Sequence, residues 1–213
     1  MTTNARFTVL DDLSRVDHAL LVPADQIGYL FEWTKGQDFR ANKVSQLIEN
    51  IKKKPSSSSA NELRYKERDI AHCSQWLHDA TSNDWIEQGT FVPVPPSKIP
   101  TNPDYCDRME RICRGMNNVV DVRNLVQQSV SVVPTHERPE GQRYSPAELL
   151  EIWSIDESLS NPLPTRIAIV DDMLTAGAHY RAMHTLLSGR FPNAQIIGLF
   201  IARRIFAVAG DTD

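Results

Sequence analysis

The chain has 213 residues, 41% hydrophobic and 23% charged, enough to bury one good-sized core. A formal net charge of −4 supplies no basic field, so nucleic acid is not an expected partner. The longest apolar runs, such as IIGLFIA at 196–202, are too short to span a bilayer, and no charged-then-apolar signal opens the chain.

Three cysteines, Cys73, Cys106 and Cys113, are an odd set without CxxC spacing. They fit a reducing cytoplasmic setting rather than a disulfide framework or a zinc site. In chain order, GYLFEWT at 28–34 is the first strand candidate. Val44, Leu47, Ile48 and Ile51 then share one helical face, closed by Lys52–Lys54, which reads as a solvated helix end. PSSSS at 55–59 is a connector. A second helical stripe, Leu63, Ile70, Cys73 and Leu77, follows over about 61–80, with Trp76 as a candidate partner-facing residue.

TFVPV at 90–94 predicts a short strand, followed by the rigid loop PPSKIP, in which proline fixes φ and removes amide donors. DYCDRMERI at 104–112 predicts a helix holding Cys106 and Cys113 a heptad apart, and Val119–Val122 a strand. HERPEGQRY at 136–144 is polar. Ser145, Pro146 and Glu148 form a capping box that opens a helix. Arg166–Val170 predicts a strand, Ala178–Leu187 a helix and Ile196–Ala202 a strand, and this alternation calls for a parallel α/β sheet.

The stretch RIAIVDDMLTAGAHY at 166–180 carries the chemistry. An apolar strand is expected to end on Asp171 and Asp172, and a small turn with Gly177 opens the next helix. Ligands of open α/β sheets sit at the carboxyl ends of strands. The amides of such a turn form an anion site, and Gly177 lets a phosphate approach the main chain. A phosphorylated sugar would satisfy both features, its hydroxyls on the acids and its phosphate in the turn. The plain alternative is a strand ending in two solvated acids.

IAIVDDMLTAGA resembles the phosphoribosyl pyrophosphate (PRPP) signature of the type I phosphoribosyltransferases, and VPVPPSK at 92–98 looks like the diphosphate loop of their amidophosphoribosyltransferase-like, ComF-type branch. The resemblance covers roughly residues 90–204. It implies a twisted parallel sheet flanked by helices, with residues 1–89 as an N-terminal helical or mixed hood and 90–213 as the core. It implies that Asp171 and Asp172 bind the ribose hydroxyls and that Thr175, Ala176, Gly177, Ala178 and His179 hold the 5-phosphate. Pro96, Ser97 and Lys98 would meet the diphosphate, and Lys98, Arg138 and Arg143 would stabilise its departure. Magnesium (Mg2+) would be held through PRPP near the two aspartates.

Two positions depart from that pattern. Ala176 and His179 stand where many members carry hydroxyls. Thr175 stands where 6-oxopurine enzymes place an acid, which disfavours that substrate class. Thr2 and Thr3 follow Met1, so no N-terminal cysteine nucleophile is expected. The implied function is Mg2+-dependent transfer of phosphoribosyl to an unidentified nitrogen acceptor with pyrophosphate release. The alternative is a non-catalytic PRPP or nucleotide sensor acting through a protein partner. The resemblance leaves room for that partner at residues 1–89 and for a homodimer.

Overall fold

Along the strand at 166–174, Ile167 and Ile169 pack into one apolar cluster and Ala168 and Val170 into another. Successive side chains leave a strand on opposite faces, so this strand is buried on both sides and the sheet requires helices above and below. The computed structural model, which describes residues 5–34, 42–134 and 143–206, has that layered arrangement.

The elements run β1 (Thr8–Val9), α1 (Asp12–Arg15), β2 (Gln26–Thr34), α2 (Lys43–Ile51), α3 (Ala60–Ala80), α4 (Asn83–Gln88), β3 (Thr90–Pro93) and α5 (Arg108–Arg114). They continue with β4 (Asp121–Val122), β5 (Val126–Gln128), α6 (Pro146–Ile152), β6 (Trp153–Ile155), β7 (Arg166–Leu174), α7 (Ala178–Arg190) and β8 (Gln195–Ile205). Six strands form one sheet in the order β1-β2-β8-β7-β3-β4, parallel except for the β1–β2 pair, and β5 with β6 makes a small antiparallel ribbon. Residues of α2, α3 and α5 fill the cluster on one face, and those of α6 and α7 the cluster on the other.

The connections leave β3 and β7 in opposite directions. From β3 the chain passes through α5 to β4, and from β7 through α7 to β8. Right-handed crossovers running opposite ways put their helices on opposite faces, so the loops after β3 and β7 diverge and open a crevice between them.

Several expectations change. β7 does not stop at the acids: it runs on to Leu174, because Met173 and Leu174 pair with Ala202 and Arg203 of β8. Asp171 and Asp172 are therefore strand residues, and they project to opposite faces of the sheet. The helix expected from 104 begins at Arg108, so Cys106 lies outside it. Ser56 Oγ donates to Asp104 Oδ1 (2.5 Å) and the Asp104 amide donates to Asn102 Oδ1 (2.9 Å), which holds that segment as a loop. Strands from both sides of residue 90 share one sheet, β2 lying parallel to β8 over eight paired positions from Gln26↔Ile197 to Thr34↔Ile205. Trp76 packs edge-on against Phe31 (5.2 Å between ring centres) and stacks on His72 (5.5 Å). Among the described residues, no helix is long and apolar enough to cross a membrane.

Candidate functional site

Because β2, β8, β7, β3 and β4 are parallel, their carboxyl ends meet at one edge of the sheet. A cavity of about 1020 Å³ opens there, large even against the roughly 300–1,000 Å³ usual for small-molecule sites. Pro96, Ser97 and Lys98 line it from β3, Asp171, Asp172, Thr175, Ala176, Ala178 and His179 from β7 and α7, and Arg143 from the segment before α6. The structure thus brings together most of the residues singled out from the sequence. Gly177 lies in the same turn without lining the cavity, and Arg138 lies outside the described residues.

The turn itself is shaped by its glycine. Gly177 is the N-cap of α7 with φ +93°, a left-handed conformation that L side chains avoid. The first amides of a helix have no intrahelical acceptor, so those of α7 are available to an anion. The N-terminal segment braces the turn from outside. The Leu20 amide donates to the Ala176 carbonyl (3.0 Å), and His18 Nδ1 bonds to the Thr175 carbonyl. His18 is fully buried, its Nε2 has no partner among the described residues, and burial holds its pKa below the ordinary value. A Cβ on residue 177 would sit 2.9 Å from Leu21 Cδ2. Gly177→Ala is therefore expected to lower stability by at least about 2 kcal/mol, measurable by urea unfolding.

The two acids are engaged differently. Asp171 accepts from the Asp172 amide (2.8 Å) and its Oδ2 lies 3.0 Å from His179 Nδ1. His179 thus reaches Asp171 from the first turn of α7. Asp172 is 4% exposed and holds two cations: Oδ1 meets Lys52 Nζ at 3.0 Å, and Oδ2 accepts from Arg108 Nη2 (2.6 Å) and Nε (2.8 Å). Burial disfavours its charge, but Lys52 and Arg108 outweigh that and hold the carboxyl well below the usual carboxylate range. Lys52 is accordingly not a solvated helix end. Its role is invisible in the sequence, since its partner is far along the chain.

The diphosphate-loop candidates are tied to the next segment. Lys98 Nζ donates to the Val132 carbonyl (2.8 Å), the Val132 amide to the Ser97 carbonyl (2.8 Å), and the Ile99 amide to Ser131 Oγ (3.1 Å). Arg143 also lines the cavity, and its Nε is buried without a hydrogen-bond partner among the described residues. Trp153 packs in the core, donates from Nε1 to Gln128 Oε1 (3.0 Å) and puts its ring 5.7 Å from that of His179.

Cys106 is a cavity residue that the sequence reading assigned to helix packing. Lys66, itself buried, donates from Nζ to Cys106 Sγ at 2.9 Å. Burial raises the thiol pKa, but Arg108 and Lys66 overcome it and the net displacement is downward, whereas burial pushes Cys73 and Cys113 far up. Thiolate is the reactive form, so Cys106 is expected to be alkylated first and already below the usual thiol pH range. Mass mapping after brief iodoacetamide treatment of the native protein checks this.

A magnesium ion was implied beside the acids. Mg2+ requires oxygen ligands in a near-ideal octahedron, directly or through its waters. The resemblance places the ion on PRPP, near the acids rather than on them; both Asp172 oxygens already accept from cations, which suits that carboxylate poorly to ligate it directly. Among the described residues no group of three His, Cys, Asp or Glu side chains is placed to hold a metal. Against protein-family models and against curated protein sequences, the chain matches none.

Proposed function

We propose that this protein binds PRPP at the carboxyl edge of its sheet and transfers the phosphoribosyl group to a nitrogen acceptor, releasing pyrophosphate. The observation that carries the reading is the convergence, on one cavity, of an acid pair, a glycine-shaped helix start and a lysine-bearing loop from two diverging strands. In this reading Asp171 orients the ribose hydroxyls, the turn 175–179 binds the 5-phosphate, and Lys98 with Arg143 receives charge on the departing diphosphate. Displacement at the anomeric carbon needs no covalent nucleophile: the acceptor nitrogen forms the new bond as the bond to pyrophosphate breaks. Trp33 and Trp153 line the cavity and offer aromatic surface to a planar acceptor.

A second reading, a non-catalytic PRPP or nucleotide sensor, is favoured by one feature. The turn carries Ala176 in place of a hydroxyl, and His179 is bound to Asp171. Each lost neutral hydrogen bond to phosphate costs about 1 kcal/mol, which weakens the turn without closing it.

Calorimetric titration with PRPP tests the site, with pyrophosphate release followed alongside. Asp171→Asn is expected to weaken binding by about 10- to 100-fold, the worth of a hydrogen bond to a charged group. Equal binding by wild type and variant would remove Asp171 from the site. Binding without release on acceptor screening would select the sensor.

A further inference from the structure

Asp172 is buried at the cavity wall and both its oxygens are taken by fixed cations, Lys52 on Oδ1 and Arg108 on Oδ2. Neither cation is used up by that contact. Arg108 gives Nε and Nη2 to the carboxylate, which leaves Nη1, and the Lys52 ammonium has three protons for one carboxylate oxygen. Both residues line the cavity, with side chains 21% and 18% exposed, so each keeps open surface there. Asp171, next to Asp172 on β7, also acts on Arg108, so these two cations face two carboxylates. Lys98 and Arg143 add two further positive charges from the same walls. A divalent cation entering beside this pair would be repelled by both residues, and three of the roughly four acceptor positions of the Asp172 carboxylate already meet them.

We propose that the site takes its diphosphate-bearing ligand as the metal-free anion, with Lys52 and Arg108, joined by Lys98 and Arg143, supplying the positive charge that a divalent ion would otherwise bring. This rests on the PRPP reading and changes its cofactor requirement. Guanidinium and ammonium groups serve a polyanion well: Arg108 offers a planar donor edge, and Lys52 acts as a movable point charge. Asp172 then has a holding role. It keeps the two cations 2.6–3.0 Å from one carboxylate and hence close to each other, at a spacing their mutual repulsion would otherwise oppose.

The test is calorimetric titration of wild-type protein with PRPP, and separately with inorganic pyrophosphate, once in EDTA and once in excess magnesium chloride. The Kd in EDTA is expected to lie within about threefold of the magnesium value, or below it, since magnesium competes for the free anion. Binding that weakens about tenfold or more in EDTA would overturn the inference and leave the PRPP reading standing. No binding of either probe under either condition would overturn the PRPP reading, and this inference with it. Lys52→Met is expected to weaken binding in EDTA about tenfold and to regain part of the loss with magnesium, while Lys52→Arg retains metal-free binding. Metal-free affinity unchanged in a folded Lys52→Met protein would also overturn it.

Discussion

Asp172→Ala is expected to destabilise the protein by about 3–5 kcal/mol, the largest stability effect of any single substitution at the site. The loss is not the worth of the ion pair itself. Taking charges out of water is costly, and the pair offsets that cost only while both signs are present. Without the carboxylate, Arg108 keeps its charge, because an arginine does not deprotonate in a protein. Lys52, with its side chain 18% exposed, can turn towards solvent, which places the result nearer the lower figure. Urea unfolding measures it. In an Asp172→Leu background, adding Arg108→Met should recover much of the loss, because the charge that cannot be lost is then gone and the remaining one, on Lys52, can turn to solvent. A midpoint for Asp172→Ala close to wild type would mean that Arg108 and Lys52 find other partners readily.

The same pair sets an acid limb. The Asp172 carboxyl titrates below its unfolded value because Lys52 and Arg108 outweigh burial. Its stabilisation is therefore complete above the ordinary carboxylate range and is lost as pH falls through the depressed folded value. Wild-type stability should decline in that acidic window, and Asp172→Ala should lack this part of the decline.

Arg143→Ala is expected to separate binding from folding. Among the described residues Arg143 Nε is buried with no hydrogen-bond partner, a condition that costs the folded protein about 1–3 kcal/mol unless a ligand completes the bond. Removing the side chain should therefore leave thermal stability unchanged or slightly raised. Affinity for PRPP or pyrophosphate should fall about 10- to 100-fold, as for loss of a hydrogen bond to a charged group. A structural arginine would behave in the opposite way, with stability lost and affinity kept. Paired melting curves and titrations of the one variant distinguish the two.

Much of the frame is written locally. Leu47, Ile48 and Ile51 recur at helical spacing and are buried on one side of α2. Ser145, Pro146 and Glu148 cap α6 with both reciprocal bonds present. Gly177 stands where a left-handed residue joins strand to helix. Each depends on neighbours within a few positions, so spacing and side-chain type decide it. The juxtaposition of the 92–98 and 171–179 segments also follows from sequence, because parallel strands place their carboxyl ends together.

Other features depend on contacts across the chain. β7 continues past its acids only because β8 offers Ala202 and Arg203 as partners, and strand length is set by pairing as much as by composition. Val9 pairs with Gly28, and Trp33 with Arg204, which brings the N-terminal residues into the sheet. Lys52, at the end of a helix, looks from sequence like a solvated charge, and only the packing of α2 against α3 and β2 brings it to Asp172. Arg108 arrives from α5 in the same way. The sequence by itself determined where a glycine-shaped turn and an acid pair would stand. The tertiary structure alone decided which charges face those acids, because an ion pair depends on distance through space and no spacing along the chain encodes it.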